Sequence, residues 1–284
     1  MEVSLYHILY IQNLKRPVEK GKIMTIIFAH RGASRQCPEN TLSAYERAVK
    51  LGAGGIEIDV QLSKDGVPVV IHDRTLKRTT SGKGIVTESN YADLKKLDAG
   101  SWFSPKFQQE SIPSLEEVLT FASDYPELWL NIELKYYRED DDQLAKTAIP
   151  MIKKFRSDKN TLISSFEHER LLEVHKLWSK VETAPLYKGN LHEPWHYAKK
   201  LKAKAIHPHF KSIHSSLIKT VQSHGINVRP YTINDEKWLR QFLEWEVDGL
   251  MTDVPDLALN IMHNKQISQQ KKPWWKNVWS MITK

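Results

Sequence analysis

Short apolar runs rich in β-branched residues alternate along this chain with longer segments whose apolar side chains recur every three or four positions. Ile26-Ile27-Phe28-Ala29 has the continuous apolar character of a buried strand. Over 39–51, Leu42, Tyr45, Ala48 and Val49 share one helical face. Gly54-Gly55 interrupts that pattern before a second strand at 56–62. A further strand at 67–71 follows the tight-turn signal Lys64-Asp65-Gly66, which predicts an antiparallel hairpin rather than a crossover. Residues 73–113, with Gly82, Gly84, Gly100 and two prolines, read as an irregular insertion.

The alternation resumes at Ser114-Leu115-Glu116-Glu117, a capping-box spacing that starts a helix through Ser123. Strands are predicted at 128–134, 161–165, 183–187, 203–207, 227–232 and 249–252, with helices at 140–155, 167–178, 194–201, 215–224 and 235–246. Setting the hairpin strand aside leaves eight strands, each followed by a helix or an insertion, which implies parallel pairing. The span 23–262 holds 240 residues, near the roughly 250 of a (β/α)8 barrel. The predicted fold is an α/β (β/α)8 TIM barrel with a small insertion after the second barrel strand. The competing arrangement is a doubly wound open sheet. Residues 1–22 form an N-terminal extension and 263–284 a basic, Trp-rich tail.

The chain has 284 residues, 40% hydrophobic and 26% charged, the balance of a soluble globular protein. Its formal net charge of +7 suggests an anionic partner, and the position of the excess decides which kind. Residues 1–22 set two acids against Lys15, Arg16, Lys20 and Lys22. Residues 263–284 carry Lys265, Lys271, Lys272, Lys276 and Lys284 with no acid. The ends hold the whole excess and 23–262 is formally neutral, which argues against the basic face of a nucleic-acid-binding fold. A single cysteine, Cys37, rules out an internal disulfide and fits a reducing compartment. No segment has the apolar length to span a bilayer. Glu2 comes first and Lys15-Arg16 follow a short apolar run, the reverse of a signal peptide. A cytoplasmic protein is expected. Met24 stands just before the first strand, and the expectation is that it is the natural start and the 23 residues upstream of it an extension.

A barrel's active site lies at the C-terminal ends of its strands. There the sequence sets His30-Arg31 after the first strand and Glu57 and Asp59 on one face of the second. His72-Asp73 follows the hairpin strand, Glu133 and Lys135 mark the strand at 128–134, and Arg229 and Tyr231 lie on that at 227–232. Three carboxylates at one mouth are too costly to leave unpaired. Two readings stand: a hard divalent cation on oxygen ligands, Ca²⁺ or Mg²⁺ rather than Zn²⁺, or ion pairs with Arg31, Lys135 and Arg229. His30 and His72 suit proton transfer, one as base and one as acid; for either alone, a core or surface role is the alternative. Arg31 and Lys135 supply positive charge for a phosphate or oxyanion. The set describes a phosphoryl-group site.

These residues resemble the glycerophosphodiester phosphodiesterases. The matching blocks are His30-Arg31-Gly32, Pro38-Glu39-Asn40-Thr41, Glu57-Ile58-Asp59-Val60, the run from Asp65 to Asp73, and Asn131-Ile132-Glu133-Leu134-Lys135. Weaker matches are Ser164-Ser165-Phe166, Tyr231-Thr232-Ile233-Asn234 and the run from Asp248 to Asp253. The resemblance spans about 26–257 and implies the barrel fold. It implies hydrolysis of glycerophosphodiesters to sn-glycerol 3-phosphate and an alcohol, within lipid and glycerol metabolism. Metal ligands fall on Glu57, Asp59 and Glu133, and the acid/base pair on His30 and His72. Arg31 and Lys135 take the phosphate-contacting roles, and Glu39 orients Arg31 or the metal shell. The insertion at 73–113 covers the glycerol side, and the family favours attack by the neighbouring glycerol hydroxyl through a cyclic phosphate. Tyr231 stands where the family commonly has Trp, which changes the apolar wall of the glycerol pocket. Cys37 reads as an inert buried thiol. His207-Pro208-His209 reads as a loop pair of histidines rather than a second metal site.

The segment 273–284 lies outside the resemblance. As a helix begun by Pro273 it puts Trp274, Trp275, Val278, Trp279 and Ile282 on one face, the pattern of an interfacial membrane helix. Docking on the barrel exterior and disorder are the alternatives. The expected function is metal-dependent glycerophosphodiester hydrolysis on a small-molecule substrate. Two other readings are lysophospholipase D-type activity at a membrane surface and a catalytically silent membrane-associated binding protein. The full metal and histidine set disfavours the last.

Overall fold

A computed structural model of the chain describes residues 25–137 and 143–270, with side chains described through 265. The extension at 1–22 and the Trp-rich segment 273–284 lie outside the described residues. The strands are β1 (Ile26–His30), β2 (Gly55–Leu62), β3 (Pro68–Val70), β4 (Trp129–Leu134) and β5 (Thr161–Ser165), then β6 (Glu182–Tyr187), β7 (Ala205–Pro208), β8 (Asn227–Val228) and β9 (Gly249–Thr252). All but β3 are parallel and follow one another around a ring, with β9 beside β1 in the register Ile26↔Gly249 to Ala29↔Thr252. Backbone bonds of 3.1 Å from Asp248 N–H to Val228 O and from Met251 N–H to Pro230 O link β8 to β9. The expected (β/α)8 barrel is therefore observed, and the open sheet is not.

Around it run α1 (Leu42–Leu51), α2 (Leu115–Ser123), α3 (Gln143–Phe155), α4 (Arg170–Leu177), α5 (Pro194–Lys200), α6 (Ser215–Ser223), α7 (Glu236–Glu244) and α8 (Pro255–Gln270). Thr41 caps α1 by accepting from Ala44 N–H, and Gly52 ends it at φ +90°. The capping box at Ser114 and Glu117 forms as expected. Gly66, at φ +80°, makes the turn that brings β3 back antiparallel to β2, Val60 facing Val70. The strand expected at 227–232 is regular only at Asn227–Val228, because Pro230 has no N–H to donate to a ladder.

Period-two alternation sorts β2 onto two faces. Ile56, Ile58 and Val60 pack with α1–α3 residues such as Tyr45, Leu119 and Ile149. A second outer cluster joins Ile206, Val228 and Leu250 to Ile218, Leu239 and Phe242. Phe28, Leu162, Leu186, Tyr231 and Met251 form a separate buried cluster. Phe28 fits because its neighbours on both sides are glycines: a Cβ on Gly55 would lie 2.5 Å from its ring, and one on Gly249 3.0 Å. The insertion has a small core of its own, Leu76, Val86, Leu94, Ala99 and Ile112 packed on Val69 and Ile71.

Candidate active site

The site is built where β1, β2 and β4 end. His30 closes β1, and the chain then turns through Arg31 at φ +58° and Gly32 at φ +83°. Only glycine fits there, since a Cβ at Gly32 would sit 2.6 Å from Ala44 Cβ and 2.8 Å from its carbonyl oxygen. The turn points Arg31 N–H at Glu57 Oε2, 2.9 Å away. In the next turn Asn40 Nδ2 donates to Asp59 Oδ2 at 2.8 Å, and Asn40 Oδ1 accepts from Tyr45 Oη–H at 3.0 Å.

Register brings the carboxylates together. Asp59 faces Glu133 across β2 and β4, and Glu57 lies two residues back on the same face. One oxygen of each of Glu57, Asp59 and Glu133 lies within 4.8 Å of the others, and all three residues are buried. Two cations answer them. Lys135 Nζ lies 2.6 Å from Glu133 Oε1 and 3.2 Å from Asp59 Oδ1, and Arg31 Nε lies 3.3 Å from Asp59 Oδ2. Glu57 Oε1 is buried with no donor among the described residues.

Three negative charges against two positive ones leave the cluster short of a cation. Burial pushes the Glu133 carboxyl up to about 7; Lys135 opposes this and Asp59 adds to it. Burial, then Asp59 and Glu133, raises Glu57 well above the carboxylate range. Burial would raise Asp59 too, but Lys135 and Arg31 outweigh it and hold that carboxyl low.

Both histidines sit at the rim with a carboxylate on Nδ1. His30 Nδ1 lies 2.7 Å from Asp253 Oδ1, and His72 Nδ1 lies 2.7 Å from Asp73 Oδ1. A carboxylate only accepts, so in each pair Nδ1 carries the proton and Nε2 is left for chemistry. His30 Nε2 points toward the triad, 4.0 Å from Glu57 Oε2. Glu39 accepts from Arg31 Nη1 at 2.8 Å and is not one of the three clustered carboxylates. Tyr231 is buried, donates to Tyr187 O at 3.1 Å and meets the edge of Phe166, whose ring lies 5.9 Å from Lys135 Nζ.

Two sequence expectations change. Arg229 does not pair with the triad: it bonds Glu182 at the start of β6 and lies over Trp129 at the start of β4, at the opposite end of the barrel. Arg229 is buried, and both of these partners stand at strand starts, away from the mouth. His207 is not a loop residue but a fully buried member of β7, and burial holds its ring well below the ordinary range, neutral. The only cluster of three potential ligands among the described residues is Glu57, Asp59 and Glu133. Cys37 is a free buried thiol, as expected.

The glycerophosphoryl diester phosphodiesterase family model matches residues 30–257, the span from His30 to past Asp253. The chain belongs to this family. A glycerophosphodiester phosphodiesterase of Caldanaerobacter subterraneus subsp. tengcongensis is 39% identical over 242 residues, covering 84% of this chain and 98% of its own. One from Bacillus altitudinis is 40% identical over 240 residues, with 84% and 98% covered. Among solved structures, an Oleispira antarctica phosphodiesterase in complex with the product sn-glycerol-3-phosphate matches with a TM-score of 0.81 at 31% identity, over 84% of this chain and 97% of that one.

Sequence reasoning missed the partners of the imidazoles. Asp253, which receives His30, is itself held by Asn234 Nδ2 at 2.5 Å and Ser34 Oγ at 3.2 Å. The signal was present, since a polar residue ending the last strand of a closed barrel must lie beside the end of the first. Arg78 was missed as well. It lies in the insertion and reaches back to both Glu39 and Asp73.

Proposed function

We propose that the protein hydrolyses glycerophosphodiesters to sn-glycerol 3-phosphate and an alcohol, with a divalent cation held by Glu57, Asp59 and Glu133. The observation that carries this reading is the buried triad with its orphaned Glu57 Oε1 beside two rim imidazoles. The donor set is all oxygen and fits a hard cation, Ca²⁺ or Mg²⁺. When bound, such a cation acts as a Lewis acid on the phosphoryl oxygens.

The chain's own residues supply the rest. Arg31 and Lys135 draw charge from the phosphoryl group and orient it. Nε2 of one histidine takes the proton of the attacking hydroxyl, and Nε2–H of the other gives a proton to the departing alkoxide as the phosphorus–oxygen bond breaks. Attack by the neighbouring glycerol hydroxyl needs no second molecule to be positioned, so a cyclic phosphate route is favoured over direct attack by water on the diester. Water then opens the ring, one histidine taking its proton and the other protonating the glycerol oxygen that leaves phosphorus, which gives sn-glycerol 3-phosphate. The carboxylates on Nδ1 stabilise each imidazolium as it forms. Phe166 and Tyr231 wall the side of the site next to Lys135.

Glycerophosphocholine and lysophosphatidylcholine, each with chelator and with added Ca²⁺ or Mg²⁺, test the reading. Cation-dependent turnover of glycerophosphocholine is expected. Faster turnover of lysophosphatidylcholine, lost on truncation after Met262, favours lipid-surface activity aided by the tail. No turnover of either leaves a binding protein.

The carboxylate cluster also predicts a pH effect. The folded Glu133 value of about 7 exceeds the ordinary 4.5, so the folded cation-free protein binds the proton more tightly than the unfolded chain. The stability this confers is complete below pH 4.5 and is lost as pH rises through about 7. Glu57 acts in the same direction. In chelator, the melting temperature is expected to fall on the order of 5 °C between about pH 5 and pH 8. Added Ca²⁺ or Mg²⁺ should flatten that slope. A melting temperature that rises with pH in chelator contradicts the assignment.

A further inference from the structure

Arg78 occupies a position that the proposed chemistry does not explain. Its Nε donates to Asp73 Oδ2 at 2.6 Å and its Nη2 to Asp73 Oδ1 at 2.9 Å. The other edge of the same guanidinium donates to Glu39, Nη1 to Oε2 at 2.7 Å and Nη2 to Oε1 at 2.8 Å. Two of these oxygens are shared with the site. Glu39 Oε1 also accepts from Arg31 Nη1 at 2.8 Å, and Asp73 Oδ1 also accepts from His72 Nδ1 at 2.7 Å. The result is an unbroken line of alternating charge, Asp59, Arg31, Glu39, Arg78 and Asp73, ending on His72.

The two carboxylates come from different segments. Glu39 belongs to the turn before α1, and Asp73 follows β3 at the start of the insertion. Among the described residues no other hydrogen bond to these carboxylates joins the two segments, and two like charges drawn together need a cation between them. A planar fork with donors on both edges suits two carboxylates at once, and a lysine ammonium does not. Arg78 also holds the Asp73 carboxyl at about 2 and, with Arg31, keeps Glu39 below the ordinary range against burial. Both carboxylates therefore remain charged acceptors at neutral pH.

We infer that Arg78 is a positioning residue, which holds the phosphate-binding Arg31 and the proton-carrying His72 in one geometry through Glu39 and Asp73. It makes no contact with the triad and is not a catalytic residue. The insertion therefore completes the site from outside the barrel instead of only covering it. This assignment rests on the functional reading above, because it supposes that Arg31 and His72 act on one phosphodiester.

The Arg78 side chain is 44% exposed, which makes substitution tolerable and leaves a path for a small cation to replace it. Arg78→Ala is expected to lower kcat roughly 10²-fold, the scale of a misplaced catalytic group, with a much smaller rise in KM. Its melting temperature should stay within a few degrees of wild type. Guanidinium chloride at non-denaturing concentration should restore at least part of the lost kcat, and sodium chloride at equal ionic strength should not. Arg78→Lys keeps the charge and the stem and should still lose about tenfold in kcat, since one ammonium cannot bridge both carboxylates. Turnover of either variant within threefold of wild type overturns the proposal, as does a loss of activity in Arg78→Ala that guanidinium fails to lift. If Arg78→Ala does not fold, the Arg78→Lys measurement decides alone. Wild-type protein inactive on every glycerophosphodiester overturns the functional reading instead, so the two failures are distinct.

Discussion

Replacing His72 or His30 with alanine is expected to lower kcat by roughly 10²- to 10⁴-fold, the usual range for removing a general acid or base. The fold should survive, because both side chains lie at the rim, 29% and 17% exposed, and their removal opens no core cavity. The two losses are distinguishable. A glycerophosphodiester with a nitrophenolate leaving group needs no proton on departure. The alanine variant that recovers on this substrate identifies the histidine that protonates the alkoxide, and the other is the base. Turnover near wild type in either variant, on an ordinary alcohol leaving group, refutes the acid/base pair.

The second large effect is expected from Asp59→Asn. Asp59 lies at the centre of the cluster, between Arg31 and Lys135, with Asn40 donating to its Oδ2. The amide keeps the shape and removes the charge. A divalent cation contributes several kcal/mol of transition-state stabilisation, and each ~1.4 kcal/mol is tenfold in rate. The loss in kcat/KM is therefore expected to be about 10³-fold. Calorimetric titration with Ca²⁺ or Mg²⁺ should show the binding isotherm of the wild type vanish in the variant. Unchanged cation binding by Asp59→Asn removes the triad from the metal proposal.

The carboxylate triad was legible because it obeys local rules. Glu57 and Asp59 are two apart on a strand, and Glu133 needs only parallel pairing of β4 beside β2 to face them. The ends of β1 and β3 likewise announce His30 and His72. Arg229 shows the limit of the same logic: regular strand ends before it at Val228, and its partners Glu182 and Trp129 come from two distant strands at the far end of the barrel. His207 shows another limit, since a histidine beside a proline resembles a loop residue until the strands on both sides of it and the closed barrel bury it. Asp253 and Arg78 depend on long-range closure and on an insertion with no periodic pattern. Arg78 has no signature within its own segment, and the role of Asp253 follows only once the closed ring sets the last strand beside the first.

The pairing of β1 with β9 has a consequence for how the protein is made. His30 and Asp253 are 223 residues apart, and the Phe28↔Met251 register joins nearly the same extremes. On a ribosome, the acidic triad, both imidazoles and Arg31 have all emerged by Lys135, yet β1 must wait with one edge unpaired until the ninth strand is synthesised. Loop closure over such a span is slow, and an open parallel edge invites association with other chains in the meantime. The first half of the nascent chain therefore holds a nearly complete set of reactive groups before it can hold them still. Activity should appear only when the last strand docks, in one cooperative step.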